Sequence, residues 1–377
     1  MKRVLYISPY EEFISAQNGG YGVVAESFKR MFDKIEEIEV TYINTNIAAA
    51  QKINIVNKYD VCIVLTHPMS FENKMFKHNI EYLTSLCNKK YLHLFWETSP
   101  MPSKWKWLWN SALFDGFISP SKFIFEMINT EIKNKSKENY LVYCPTFKED
   151  FVDYKIDIEQ KNNENIFTVL YIGQYTKRKG MEDAIIAFVQ ALSQYSDCRL
   201  LLKYHPLSSK EINPESLIKM LADTNSKDMK AKIYDVTKNL DKSEIYRLYK
   251  ESSVLLFPSR GEGYGLPLVE AGMIGLPCIY TDWSSSKETG KFKGNKAVSC
   301  ILDTAQGMTH YEYESGSVYA VPYIKDMVKN LKSCYEDWKA SKQDYYTYTN
   351  NNDVEILRKF GESVFVEQIT KVLEDKC

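Results

Sequence analysis

Ser253-Val254-Leu255-Leu256-Phe257-Pro258-Ser259-Arg260-Gly261-Glu262-Gly263-Tyr264-Gly265-Leu266-Pro267-Leu268-Val269-Glu270-Ala271 decides how this chain of 377 residues is read. Ser253 to Pro258 is a run of apolar and β-favouring residues ended by proline, which predicts a buried strand. Pro267 to Ala271 opens a helix, because a first-turn proline lacks only an N–H that would have had no partner. Between them, Gly261, Gly263 and Gly265 make a glycine loop. Strand, glycine loop and helix start together build an anion site, since free backbone N–H groups and the helix dipole point into the loop. Two carboxylates flank it, Glu262 and Glu270. A bare phosphate has no use for them, but a phosphate ester of polyhydroxylated groups does, because carboxylates accept paired hydrogen bonds from neighbouring hydroxyls. The alternative for this segment is a strand–turn–helix unit with surface glutamates.

Outward from this segment, strands alternate with helices. Before it, Val4–Ser8, Val40–Ile43, Val61–Leu65, Tyr91–Phe95, Gly116–Ser119 and Leu141–Cys144 read as strands, with a loop from Pro9 to Gly20 and a helix from Tyr21 to Phe32. Residues 148–166 are polar without a clean period and read as a linker. The pattern restarts with Phe167–Gly173, followed by Arg199–Lys203, Lys232–Tyr234, Val254–Phe257, Cys278–Tyr280 and Val298–Leu302. Such alternation predicts mostly parallel sheets covered on both faces, in two doubly wound α/β halves. The expected domains are 1–150, 151–355 and a C-terminal helix over 356–377 packing back on the first domain. Its apolar face is Val364, Phe365, Ile369, Val372 and Leu373. Ligands of doubly wound sheets sit outside the carboxyl ends of the strands. Two such sheets facing across a cleft would therefore bring together the loops after Ser8, Phe95, Gly173 and Pro258.

Composition narrows the partners. Lys and Arg total 48 against 49 Asp and Glu, a net charge of −1, so nothing pulls the chain as a whole toward nucleic acid or acidic membrane. The eight cysteines form no CxxC pair and no zinc spacing, which suits a reducing cytoplasm, with contact to a membrane surface left open. No run of about 18 apolar residues predicts a membrane span, and MKRVLYISPY lacks the apolar core of a signal peptide. The histidines have no H-x-H or H-E-x-x-H spacing and no two aspartates lie one residue apart, so no metal site and no cofactor are expected.

Three further segments bear on chemistry. In Gly173-Gln174-Tyr175-Thr176-Lys177-Arg178-Lys179-Gly180, three cations precede a helix start, where they oppose the dipole by a few tenths of a kcal/mol each. A bound anion would reverse that cost; a solvated basic turn is the alternative. Gln17-Asn18-Gly19-Gly20-Tyr21-Gly22 lacks GxGxxG spacing, yet its glycine pair lets backbone approach a ligand closely. In Phe95-Trp96-Glu97-Thr98 through Trp109, Glu97 follows a strand and points to its ligand end. Ser103 is the expected N-cap of a helix burying Trp105, Leu108, Trp109 and Ala112, while Trp107 lies off that face and is placed to stack on a sugar or base.

Taken with YIGQYTKRKG and PSRGEGYGLPLVEAGMIGLPCI, the chain resembles glycosyltransferase family 4, most strongly over residues 167–285. The resemblance implies the GT-B fold and a retaining, metal-independent transfer of a sugar from a nucleoside-diphosphate sugar, UDP- or GDP-linked. It implies that Glu262 contacts the donor sugar, Glu270 the ribose hydroxyls and Lys179 the diphosphate. It further implies that Gly19 and Gly20 approach the phosphates, and that backbone from Gly263 through Tyr264, Gly265 and Leu266 binds diphosphate and sugar. Two residues depart from the family pattern. Gln174 stands where it has arginine, a charge Arg178 can supply, and Glu97 stands where it has histidine, as a second catalytic candidate. The acceptor is expected to be a glycan, a lipid-linked intermediate or a small alcohol, with a hydroxymethylated DNA base as alternative. An epimerase or phosphorylase of the same shape, or a non-catalytic sugar-nucleotide binder, are the other classes.

Overall fold

The computed structural model describes residues 1–9, 19–132, 137–205, 229–304 and 316–374, together with 216, 219 and 220. The chain divides into two compact units, the first formed by Met1–Phe147 and Arg358–Cys377, the second by Lys148–Leu357.

Unit 1 is built on a parallel sheet of β1 (Lys2–Ser8), β2 (Ile38–Asn44), β3 (Tyr59–Leu65), β4 (Cys87–His93), β5 (Gly116–Ser119) and β6 (Glu138–Leu141), in the order β2-β1-β3-β4-β5-β6. The central strands read as apolar runs because helices cover both faces. On one face the Tyr6 ring meets Phe28 and Phe32 of the helix Gly19–Phe32 at 6.1 and 5.3 Å. The helix Glu362–Glu374 closes over them, with Phe365 4.8 Å from Phe28, and the Gln368 carboxamide accepts the Tyr143 N–H at 2.9 Å.

Unit 2 carries a second parallel sheet of β7 (Phe167–Gln174), β8 (Cys198–His205), β9 (Lys232–Val236), β10 (Val254–Phe257), β11 (Cys278–Thr281) and β12 (Lys296–Val298), ordered β12-β11-β10-β7-β8-β9. Strand order reverses between β10 and β7. In a doubly wound sheet that is where a crevice opens at the carboxyl ends of the strands. The loops leaving it are the two singled out above, Gln174–Gly180 and Pro258–Gly265.

Several expectations need correction. β6 lies three residues earlier than Leu141–Cys144. The stretch 148–166 is no linker: Phe151 and Ile156 are buried, the Ile156 N–H donates to the Ile274 carbonyl at 2.9 Å, and Asp157 caps a short helix, Ile158–Asn162. Its buried residues are too widely spaced for periodicity to reveal. Val298–Leu302 breaks into the end of β12 and β13 (Cys300–Thr304), which pairs antiparallel with β14 (Val318–Pro322). Ser103 begins a short 3₁₀ turn, Ser103–Trp105, capped by no side chain, and the following helix is one turn, Trp107–Asn110. Trp105, Leu108 and Trp109 are buried as expected, whereas Ala112 falls beyond the helix and is exposed. Gly19 and Gly20 are the first residues of a helix, not the end of a loop; Gln17 and Asn18 lie outside the described residues. No helix among the described residues is long and apolar enough to cross a membrane.

Candidate active site

The two loops at the β10/β7 reversal are stitched together. The Arg260 N–H donates to the Arg178 carbonyl at 2.7 Å. A left-handed Gly180 (φ +69°) follows the turn Lys177–Lys179. A Cβ there would stand 2.4 Å from the Pro258 carbonyl oxygen, so only glycine allows this approach. Arg260 is fixed in turn by Asp183, at 2.6 Å from Nη2 and 3.0 Å from Nε, near the start of the helix Met181–Leu192.

This contact sets Lys179 and Arg178 against Glu262. The Lys179 ammonium donates to Glu262 Oε1 at 2.6 Å, Ser259 Oγ donates to the same oxygen at 2.5 Å, and Arg178 Nη1 stands 3.7 Å from Oε2 while donating to the Gly261 carbonyl at 2.7 Å. Glu262 is only 6% exposed. Burial by itself pushes its carboxyl up, but Lys179 and then Arg178 outweigh burial and hold it below the usual carboxylate range. Its backbone is pinned as well, the N–H donating to Ser284 Oγ at 3.0 Å and the carbonyl accepting from Ser285 Oγ at 2.7 Å.

Beyond Glu262 the loop turns into the helix Leu266–Ile274 through a left-handed Gly265 (φ +90°), where a Cβ would meet Thr289 Oγ1 at 2.9 Å. Thr289 Oγ1 donates to the Tyr264 carbonyl at 3.1 Å, and Gly263 and Tyr264 are buried. One face of this helix carries Glu270, which accepts a hydrogen bond from Tyr249 Oη at 2.9 Å. Although Glu270 keeps some contact with solvent, burial raises its carboxyl, and Tyr249 and Lys242 offset this only in part. Gly173 and Gln174 end β7; a Cβ on Gly173 would touch Tyr171 Oη at 3.0 Å and Lys179 Cβ at 3.5 Å, while Gln174 is exposed.

Gly19, Gly20, Glu97 and Trp107 belong to unit 1. Tyr21 Oη donates to the Phe95 carbonyl at 3.2 Å, so the start of the helix Gly19–Phe32 lies against the segment leading to Glu97. Gly20 is exposed, with nothing within 4 Å of where a Cβ would stand. Glu97 is half-buried. Trp107 is 37% exposed, packs edge-on against Phe71 at 5.8 Å and carries the Lys77 ammonium 5.1 Å from its ring centre. His93 stands at the end of β4, fully buried between Phe28 and Phe95, and burial lowers its imidazole to about 3, which keeps it neutral. Sequence reading passed over Ser259, Tyr249 and Ser284 to Thr289. Ser259, three residues before Glu262 at a strand end, carried a readable signal; the others meet the site only through the fold.

Residues 153–298 match the model of a family described as glycosyl transferases group 1. Serotype-specific mannosyltransferase WbdA of Escherichia coli is 29% identical over 119 residues, a stretch covering 32% of this chain and 14% of that protein's length. Among solved structures, HepE of Anabaena in complex with UDP-glucose superposes with a TM-score of 0.64 at 13% identity, over 99% of both chains. A glycosyltransferase from Rickettsia africae gives 0.64 at 14% identity, over 99% of this chain and 98% of that one. The chain therefore has the GT-B fold of two parallel α/β units, and its residues 153–298 match the glycosyl transferases group 1.

Proposed function

We propose that this protein transfers a sugar from a nucleoside-diphosphate sugar, with retention of configuration and without a metal, to a hydroxyl of a glycan, a lipid-linked intermediate or a small alcohol. The observation that carries the proposal is the buried carboxylate of Glu262 held by Lys179, Arg178 and Ser259 where strand order reverses. A structural ion pair needs one cation; two cations and a glycine loop beside one carboxylate suit a site that also receives a dianion. The family match over 153–298 and the UDP-glucose bound by HepE support a sugar nucleotide as that ligand.

In this reading the donor diphosphate takes over the Lys179 ammonium and the Arg178 guanidinium. Cleavage of the sugar–phosphate bond builds negative charge on the diphosphate and positive charge on the sugar. Lys179, Arg178 and the amides opening the helix Leu266–Ile274 stabilise the first, and preorganised groups of this kind supply most of the rate enhancement in many enzymes. Glu262, released from Lys179, faces the sugar, and Glu270 takes the ribose hydroxyls. Deprotonation of the acceptor falls to the departing phosphate oxygen. In unit 1, Glu97 and Trp107 are assigned to the acceptor.

A panel of UDP- and GDP-sugars, followed by NMR for released nucleotide and product anomer, tests this. One donor is expected to be consumed. Glu262→Ala should keep nucleotide binding and lose about 100-fold in turnover, and Lys179→Ala should weaken nucleoside diphosphate binding at least about tenfold. Unchanged turnover in the first variant, or unchanged affinity in the second, would sink the assignments.

A further inference from the structure

Lys203 lies in β8, in register with Ile172 of β7 and Val236 of β9, and is only 7% exposed. Its ammonium reaches the Tyr204 carbonyl at 3.5 Å, the outer limit of a hydrogen bond, and no carboxylate pairs with it among the described residues. Lys161 shows how the same chain treats a buried structural lysine. At 2% exposure it has Glu164 and the Ser252 carbonyl, each at 2.9 Å. Burial lowers the Lys203 ammonium's hold on its proton. An unpaired buried cation costs free energy, and such a cost persists where a ligand removes it.

The sheet fixes which way Lys203 faces. Phe167 packs on Tyr335 and Trp338, which places the helix Ile324–Ala340 on the face of Phe167, Val169 and Tyr171. The helix Met181–Leu192 shares that face, its lead-in carbonyl at Lys179 accepting from Tyr171 Oη. Side chains alternate along a strand, so Thr168, Leu170 and Ile172 are on the opposite face, and by register so are Arg199, Leu201 and Lys203. The hydrogen bond from Arg199 Nε to Thr168 Oγ1 at 2.8 Å agrees. β7 connects rightward to β8 and β10 leftward to β11, so right-handed crossovers put the helices Met181–Leu192 and Leu266–Ile274 on opposite faces. Lys203 therefore shares a face, and the carboxyl end of the sheet, with Glu270.

We propose that Lys203 recognises the base of the donor nucleotide, its ammonium donating to a keto oxygen of uracil or guanine. The inference rests on the transfer reading above, which seats the diphosphate at the β10/β7 reversal and the ribose at Glu270. A nucleoside continuing along that face passes over β7 and reaches β8 one strand, about 4.8 Å, further on. Lysine offers three donors and no acceptor, so it matches O4 of uracil or O6 of guanine and has no complement for the amino group that cytosine and adenine carry at those positions.

Calorimetry with UDP, GDP, CDP, ADP and inorganic pyrophosphate, on the wild type and on Lys203→Met, tests this. The wild type is expected to favour UDP or GDP at least tenfold over CDP and ADP. Lys203→Met should weaken the favoured nucleotide ten- to a hundredfold, erase the preference, leave pyrophosphate affinity unchanged and melt no lower than the wild type. Lys203→Gln carries the same comparison should the methionine variant not fold. Retained preference, or a lowered melt with preference intact, marks a structural lysine and overturns the proposal. An equal loss of pyrophosphate affinity makes Lys203 a phosphate ligand and overturns it too. A wild type that binds none of the four nucleotides defeats the transfer reading itself, a different failure.

Discussion

Replacing Lys179 by methionine keeps most of the side chain's bulk and removes one charge from a cluster of three. At an effective dielectric of about 20, unit charges 2.6 Å apart attract by about 6 kcal/mol and those 3.7 Å apart by about 4–5 kcal/mol, so Lys179 supplies the larger part of what holds Glu262. Breaking a buried pair usually costs about 3–5 kcal/mol because a charge is stranded. Here Arg178 and the Ser259 hydroxyl stay with Glu262, and the expected loss falls to about 2–3 kcal/mol. Glu262→Gln removes the carboxylate from the two cations instead and should cost about 2 kcal/mol. The double variant should lose about 2 kcal/mol, well short of the sum, leaving a coupling of about 2–3 kcal/mol in a double-mutant cycle read by urea unfolding at pH 7. The sign with pH follows from the cluster. In the wild type, burial raises the Glu262 carboxyl but the two cations lower it further, so its net stabilisation is present above the unfolded carboxylate range and is lost as pH falls through and below that range. The gap between wild type and Lys179→Met should therefore shrink below about pH 4. It should also survive added salt, since both side chains are at most 15% exposed. Additivity within about 0.5 kcal/mol at pH 7 would refute the reasoning, because it would mean that water already screens the pair.

Two other variants probe the frame around this cluster. Gly180→Ala forces a left-handed alanine and places its Cβ against the Pro258 carbonyl, for an expected cost of about 2–4 kcal/mol and a loss of nucleotide affinity as Lys179 moves; a wild-type melting curve would contradict the loop contact. His93→Leu removes a neutral buried imidazole: a base whose folded value falls from 6.5 to about 3 withdraws stability as pH drops below 6.5, about 2 kcal/mol by pH 5, so the variant should lack that part of the acid sensitivity seen in urea unfolding. The same pH slope in both proteins would show that water reaches the ring.

Much of this molecule was legible in its sequence because parallel strands buried on both faces write themselves as short apolar runs. Val254–Phe257 and Gly116–Ser119 appear at the predicted residues for that reason. Where burial is sparse the signal failed: Phe151 and Ile156 are anchors spaced by polar residues, and β13 presents Ile301 and Leu302 to solvent. The cluster was half legible. Glycines and charges next to strand ends pointed to Lys179 and Glu262, since both depend on local spacing. Their mutual contact, the Ser259 hydrogen bond, the Tyr249 phenol on Glu270 and the burial of Lys203 are products of strand order, which no single stretch of sequence encodes.

Unit 1 is assembled from two stretches of chain separated by the whole of Lys148–Leu357. During synthesis the helix Gly19–Phe32 is made early, yet the side chain that covers its Phe28, Phe365, leaves the ribosome only after all of unit 2. The first unit to be started is thus the last to be sealed. Until then Phe28 lacks the ring that covers it in the finished fold.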